Sequence, residues 1–525
     1  MSKLPVLIVG AGPTGLVLAI ELARRGVPFH LIDHRPEPLS WDRAAFVKSR
    51  SLEIFATLGL ADAFVRHGHL INGFDFYAGG AETVSYRLNS LDSPFPFFLG
   101  ISESKTERLL TEKLELLGGH VEHGIEFLDF LEEPAALRVR LRTAKGERWV
   151  TVSWLVAADG LHSAVRNAAG IAFTGHDYKL RWGVVDARLS GWQYPKDTVA
   201  VQFVPLLYAA PIGGGRRRIY FRADPSTDVG IAYVEEQLEA LAPGAKLAEP
   251  DEPQLFHSHR RIAEHFRAGR VLLAGDAAHV ISPIQAHGMN IGIQDSFNLG
   301  WKLALVVDGS APEGLLDTYE SERRPVAELL GATGDEVEAI ATVGDPKATD
   351  TVRRALGTES DRHNMATDES EIGFRYDASP IVAAIGPQPS SPPSTEVGCR
   401  VGDAGPVEGH NRTIRLHDIF LHTGHTLLVL LGKAGTAAID DGLTLARQVT
   451  QRYDHHVKAY VVTINKIIPE SGAPELLLDK NEAVHARLGG DQPCLCLVRP
   501  DGHLGLRLTP ISITALEHQL GRTFL

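Results

Sequence analysis

Cysteine is scarce in this chain of 525 residues, occurring only as Cys399, Cys494 and Cys496. Three thiols, two of them separated by a single residue, build no disulfide framework, and without any CxxC pair they build no zinc site. No metal is expected, and the sparseness fits a reducing cytoplasm. Long apolar runs are missing as well. No stretch of 18 apolar residues is available to cross a bilayer, and the apolar start LPVLIVGAG leads into a glycine motif instead of a small-residue cleavage site. Secretion and membrane insertion are not expected. Positive charge is in deficit, with 52 Lys and Arg against 65 Asp and Glu and a formal charge of −13. That balance argues against a general grip on nucleic acid or anionic lipid. No repeat of solenoid period occurs.

What is present fills more than one core. The chain is too long for a single core, and its 44% hydrophobic content supports two or three compact units. Residues 4–33 read strand, glycine turn, helix, strand: LPVLIVG, then GPTGLVLAIELARRG at helical period, then VPFHLID. Between 176 and 260 short alternating segments such as TVAVQFVP and RRIYFRAD predict an antiparallel sheet inserted between the flanking α/β segments. Buried-strand and helical patterns return over 261–385. A Pro/Ser-rich stretch at 386–398 reads as a linker, and 399–525 as a further α/β domain. The expected organisation is thus a Rossmann-like domain in two parts, 1–175 and 261–385, an inserted sheet domain and a C-terminal α/β domain. Alternation in a strand puts Cys494 and Cys496 on one face, where packing is the expected role.

Chemistry enters at GAGPTG. Gly10, Gly12 and Gly15 sit between a strand and a helix, where backbone N–H groups and the helix N-terminus approach a pyrophosphate. Asp33 ends the next strand, placed for adenosine ribose hydroxyls. Together these features predict an ADP-containing cofactor. Two further strand ends follow. WLVAADGLHSAVR at 154–166 carries Asp159-Gly160 and Arg166, and RVLLAGDAAHV carries Gly275-Asp276, whose carboxylate suits the ribityl hydroxyls of a flavin. Gly288-Met289-Asn290 opens the next helix, whose positive end would stabilise negative charge on a flavin pyrimidine ring.

In this order and spacing the three elements resemble the group A flavoprotein monooxygenases typified by para-hydroxybenzoate hydroxylase, and more closely their phenol-hydroxylase and polyketide-hydroxylase branch. Arg43-Ala44, Arg50-Ser51-Leu52-Glu53, Thr106-Glu107 and IGFRYDASP extend the resemblance over the whole chain. It implies FAD, with Gly10, Gly12, Thr14, Gly15, Asp33 and Arg43 around the ADP half. Asp276, Pro283, Gly288, Met289 and Asn290 would surround the ribityl–isoalloxazine half, with Asp159 near the pyrophosphate and Glu103 beside the cofactor. It further implies NADPH or NADH as reductant, O2 as co-substrate, and hydroxylation of a phenolic or polycyclic aromatic through a flavin C4a-hydroperoxide. The last domain would be thioredoxin-like, although 399–525 contains no CxxC. A small aromatic or polyketide substrate and a homodimer are the expected associations, with no nucleic-acid or membrane partner.

Departures from the family pattern keep alternatives open. Where the family shows Pro-x-Gly-Gly-Gln-Gly-Met-Asn, this chain has Gln285-Ala286-His287 between Ile284 and Gly288; Phe46 replaces a glycine, and Glu103 a glutamine. His287, or less directly His279, is a candidate base for a phenolic proton, against the reading that each satisfies a neighbouring carbonyl. Baeyer–Villiger oxygenation of a polyketide ketone, or a flavin-binding sensor that no longer oxygenates, are the alternative functions. The tryptophan-rich WxWxIP segment of flavin halogenases is absent.

Overall fold

A computed structural model describes residues 3–37, 44–342, 347–387, 395–409, 412–433, 435–464, 475–490 and 492–525. Arg43 and the centre of the expected linker, 388–394, lie outside them. The chain divides into two compact units. The first comprises Met1–Leu91, Phe95–Phe297 and Arg323–Ile372, and the second Asp92–Pro94, Asn298–Glu322 and Gly373–Leu525. The divisions at 297/298 and 322/323 fall inside two long helices, Gly288–Asp308 and Asp317–Thr342.

The first unit is built on a six-stranded sheet whose centre is Val6–Val9, a strand with every residue buried. Its apolarity follows from its place. It pairs in parallel with Trp154–Ala157 on one side and Phe29–Asp33 on the other, an interior place in a parallel sheet, where strands are buried on both faces. Val271–Leu273 and Val121–His123 extend the parallel arrangement outward, and Arg267–Ala268 closes one edge antiparallel. Three of these strands end at the motif residues Gly10, Asp159 and Asp276, so parallel pairing brings the three motifs to one edge.

The inserted sheet reaches beyond 176–260. Its nine strands include Gly73–Ala78 and Ala81–Arg87 at one end and His279–Val280 at the other. Thr198–Phe203 pairs in parallel with Gly73–Ala78, while its other ladders are antiparallel. Period-two alternation divides the side chains between faces. Val185, Ala200, Leu207, Ala209, Ile219 and Phe221 pack with the helix Ile231–Leu241. Phe74, Phe76, Trp182, Val199, Val201, Tyr208 and Tyr220 face the opposite way, where they wall the cavity described below.

The second unit carries an eight-stranded mixed sheet. His425–Gly432 runs parallel to Val457–Thr463 and antiparallel to Cys494–Val498, which pairs with Leu504–Leu508. The helix Thr436–Tyr453 makes the crossover that the parallel pair requires. One face buries Leu427, Val429, Leu495 and Leu497 together with Trp301, Leu305, Ala311 and Leu315; the other buries Leu428, Leu430, Cys494 and Cys496. The two thiols therefore share one apolar cluster, and the Cys494 thiol and burial together push the Cys496 thiol up. A buried ion network lies beside this core. Glu322 accepts from both Arg499 Nη atoms (2.7 Å each), Lys302 Nζ (2.7 Å) and Ser379 Oγ (2.6 Å). Among the described residues no helix is long and apolar enough to cross a membrane.

Candidate active site

A cavity of about 1070 Å³ opens in the first unit along the carboxyl edge of the six-stranded sheet. At one end lie Gly10, Gly12, Pro13 and Thr14. Gly10 adopts φ +103°, and a Cβ there would stand 2.2 Å from the Ala158 carbonyl oxygen; a Cβ on Gly15 would stand 1.9 Å from the oxygen of Gly10. Only glycine closes this turn. Gly12 brings no capping side chain to the helix Pro13–Arg24, whose first position is Pro13. The result is a helix N-terminus, unencumbered at Gly12, turned to the cavity.

Asp33 lines the same end, and its carboxylate is heavily engaged. Oδ2 accepts from Ala11 N–H (2.9 Å) and Arg35 Nη2 (2.9 Å), and Oδ1 from Arg35 N–H (2.8 Å) and Nε (3.0 Å). Burial opposes its charge, but these donors hold its pKa below the ordinary value. A ribose hydroxyl reaching Asp33 would displace a bond from Arg35, a neighbour that the glycine motif alone does not announce. Glu103 lines the cavity at the start of the helix Glu103–Leu116, which Ser102 caps by accepting from Lys105 N–H at 3.3 Å. Asp159 accepts from Val165 N–H at 3.2 Å through Oδ2, while Oδ1 is buried with no partner among the described residues, and burial raises this carboxyl. Arg166 braces the neighbouring turns by donating to the Leu161 and Ala277 carbonyls at 2.9 and 3.0 Å, with its guanidinium 3.8 Å from the Phe173 ring centre.

Asp276, Pro283, Gly288 and Met289 line the middle of the cavity. Asp276 follows the strand Val271–Leu273, and Gly288 and Met289 open the helix Gly288–Asp308. Two neighbours stand elsewhere. Asn290 is fully buried, accepts from Lys48 N–H (3.0 Å) and Ser51 Oγ (2.8 Å), and donates to the Phe46 (3.0 Å) and Ala286 (3.2 Å) carbonyls. Its four hydrogen bonds are used within the protein, so it pins the segment 46–51 to the helix and does not line the cavity. His287 is also buried behind the wall. Its Nδ1 lies 2.7 Å from Glu371 Oε1 and 2.8 Å from Lys48 Nζ, and burial followed by the Lys48 charge lowers its pKa to about 3. A ring so placed is not positioned to take a proton from a ligand in the cavity. His279 is likewise structural, with Nε2 2.6 Å from Asp295 Oδ2.

The structure adds residues that the motifs do not mark. Lys48 Nζ donates to the Gln285 carbonyl (2.8 Å) and Glu369 Oε2 (3.2 Å), and Gln285 Nε2 donates to Glu369 Oε1 (2.8 Å). Lys48, Gln285 and Glu369 all line the cavity where its aromatic walls begin. A lysine inside the apolar segment FVKSRSLEIF is the one hint in the sequence; Glu369 and Glu371, in ATDESEIGF, read as solvated charges.

These residues fit a flavin dinucleotide. A close-packed glycine turn, an uncapped helix start, an orphaned carboxylate oxygen at Asp159 and a second helix start at Gly288 lie along one elongated cavity. A family model described as an FAD binding domain matches residues 3–332. The chain is 32% identical to 6-methylpretetramide 4-monooxygenase of Streptomyces rimosus, over 98% of this chain and 92% of that one. It is 33% identical to pentachlorophenol 4-monooxygenase of Sphingobium chlorophenolicum, over 81% and 79%. Among solved structures, the ternary complex of aklavinone-11 hydroxylase with FAD and aklavinone superimposes with a TM-score of 0.78 at 28% identity, covering 99% of each chain. Cavity, motif spacing and relatives agree, and the chain belongs to the FAD-dependent aromatic monooxygenases.

Proposed function

We propose that this protein hydroxylates a phenolic or polycyclic aromatic substrate, with FAD bound in the cavity, NADPH or NADH as reductant and O2 as co-substrate. One observation carries the reading: the cavity that begins at the glycine turn continues into a chamber walled by Phe46, Phe74, Phe76, Trp182, Tyr208 and Tyr220. Flat aromatic ligands bury their faces against such walls. The relatives point the same way, since the names of two refer to pentachlorophenol and 6-methylpretetramide, and the aklavinone-11 hydroxylase structure holds aklavinone.

The chemistry the flavin supplies when bound is two-electron exchange with a nicotinamide and transfer of one oxygen atom from O2. The protein's part is binding, orientation and exclusion of water. Gly10, Gly12, Thr14 and Gly15, with the start of the helix Pro13–Arg24, receive the pyrophosphate; Asp33 and Arg35 attend the adenosine end, to which family resemblance adds Arg43. Asp159, Asp276, Glu103 and Pro283 flank the cofactor's length. Gly288 and Met289 bring a helix N-terminus to the cavity, where it favours negative charge. The apolar walls keep water from the reacting atoms.

In sequence terms, the first unit's parts of 1–175 and 261–372 form the cofactor side and 176–260 most of the substrate side; Asn298–Glu322 and residues 373–385, expected with them, belong to the second unit. We read the C-terminal domain as thioredoxin-like, on its parallel pair His425–Gly432 and Val457–Thr463 beside an antiparallel pair. Lacking CxxC, it takes a structural part.

The deciding experiment follows NADPH oxidation in air by the FAD-loaded protein, with and without phenols, hydroxyquinones and aromatic polyketides, and identifies the products. Oxidation stimulated by one class, with a product heavier by one oxygen on a ring carbon, is expected. A ring-expanded lactone would establish Baeyer–Villiger chemistry instead, and a protein that cannot be loaded with FAD would overturn the reading.

A further inference from the structure

The aromatic chamber has a charged group in its wall whose partners are all accounted for. Glu369 exposes 11% of its side chain, and Lys48 only 1%. The lysine is enclosed: its ammonium group meets the Gln285 carbonyl, His287 Nδ1 and Glu369 Oε2 within 3.2 Å. The carboxylate beside it accepts one bond on each oxygen, from Lys48 and from Gln285 Nε2. A carboxylate oxygen accepts two, so Glu369 keeps acceptor capacity. Although burial opposes its charge, Lys48 leads the groups that lower its pKa, so the ionised form persists at neutral pH. The nearby tyrosines stay protonated, since burial first and then the Glu369 charge push Tyr86 up, and burial pushes Tyr208 up.

Cations tell the other half. Among the described residues lining the cavity, the lysines and arginines are Lys48 and Arg35. Lys48 is committed to Glu369, and Arg35 binds Asp33 at the far end. A substrate carboxylate entering the chamber would therefore lose its water, meet no available lysine or arginine among these residues, and lie near an ionised Glu369. Burying like charges together is among the most unfavourable arrangements a binding site can impose. A hydroxyl group, by contrast, supplies the hydrogen that Glu369 lacks.

Building on the proposed aromatic-hydroxylase reading, we propose that Glu369 determines specificity: it accepts a hydrogen bond from a hydroxyl of a neutral, flat aromatic substrate and excludes aromatic carboxylates. Lys48 and Gln285 act as positioning residues that hold the acceptor in place.

The test uses the FAD-loaded protein and matched ligand pairs, 2-naphthol against 2-naphthoate and 2-hydroxyanthracene against anthracene-2-carboxylate. Binding is read at neutral pH by perturbation of the flavin spectrum and by calorimetry, without turnover. The hydroxyl member of each pair is expected to bind at least about tenfold more tightly, a difference of roughly 1.4 kcal/mol. Glu369→Gln should bring the ratio to within about threefold, chiefly by improving carboxylate binding, whereas Glu369→Asp should keep the discrimination. FAD content and melting temperature are measured on each variant, and if Glu369→Gln does not fold, the ratio in the unaltered protein decides. Equal or tighter binding of the carboxylates, or an unchanged ratio in a folded Glu369→Gln, overturns the role of Glu369 alone. If no aromatic of either kind binds the flavin-loaded protein, the aromatic-chamber reading falls with it.

Discussion

Glu371 adopts the left-handed backbone region at φ +63° and is almost wholly removed from water, between His287, Lys48 and Gln294. Burial raises its carboxyl to about 7, against an ordinary value of 4.5, while Lys48, Arg323 and Gln294 pull the other way. Between those values the folded protein holds a proton that the unfolded chain has released, so stability falls as pH rises from about 4.5 to about 7. The change amounts to roughly 3–4 kcal/mol at most, taking about 1.4 kcal/mol per unit. Glu371→Gln keeps the shape without the titration. Its melting temperature relative to the unaltered protein should rise between pH 5 and pH 8, and a difference that does not vary with pH would show that Glu371 does not titrate there. Glu369 has the opposite sign, because its lowered pKa contributes stability above the ordinary range that is lost in acid. At the glycine turn, Gly10→Ala forces a methyl group to within 2.2 Å of the Ala158 carbonyl. Purified Gly10→Ala should hold less than about a tenth of the normal FAD, measured by the flavin-to-protein absorbance ratio. Such glycines are legible in sequence because their constraint is local, three glycines in one turn. Lys48 and Glu369 are not, since their pairing spans 321 positions and each alone is an ordinary surface residue type.

Elements meet at Asp295 on the helix Gly288–Asp308. Its carboxylate accepts from Gly275 N–H (3.1 Å) and Arg323 Nε (2.7 Å) and lies 2.6 Å from His279 Nε2. Thus one buried side chain ties the strand end at 275, the short strand His279–Val280 and the helix Asp317–Thr342. Burial works against its charge, yet His279 and Arg323 hold the pKa down to about 2. Asp295→Ala leaves Arg323 buried without this partner and should cost about 3–5 kcal/mol in urea unfolding, with Asp295→Asn costing less. A loss under about 1 kcal/mol would mean that the junction holds by apolar packing alone. The strands themselves follow readily from apolar alternation. Their pairing does not: Thr198–Phe203 finds its parallel neighbour in Gly73–Ala78, far upstream of the expected insertion, and no local pattern records that choice. The placement of Asn290 was hidden for a related reason, because an asparagine at a helix start reads the same whether it faces a ligand or pins another segment.

At the scale of the molecule, composition indicated more than one unit, but not that the second draws Asn298–Glu322 from the middle of the chain. Trp301, Leu305, Ala311 and Leu315 lie in that stretch and share a core with Leu427, Val429, Leu495 and Leu506. Truncation after Ile372 would strip them of their cover, and this fragment should aggregate when expressed, as judged by soluble yield and light scattering. A soluble, FAD-binding fragment would show that the C-terminal segment is dispensable. The same packing predicts the thiol chemistry: in the native protein Cys399, half-buried, should react with an aromatic disulfide reagent, and Cys494 and Cys496 only after unfolding. The interleaving of the units also bears on how the protein is made. A ribosome delivers the helical face around Trp301 well before the strands that cover it. At 5–20 residues per second the segment Gly373–Leu525 takes on the order of 10 s to emerge. Throughout that interval the nascent chain carries an uncovered apolar surface in its interior, so chaperone demand should depend on translation speed downstream of residue 372.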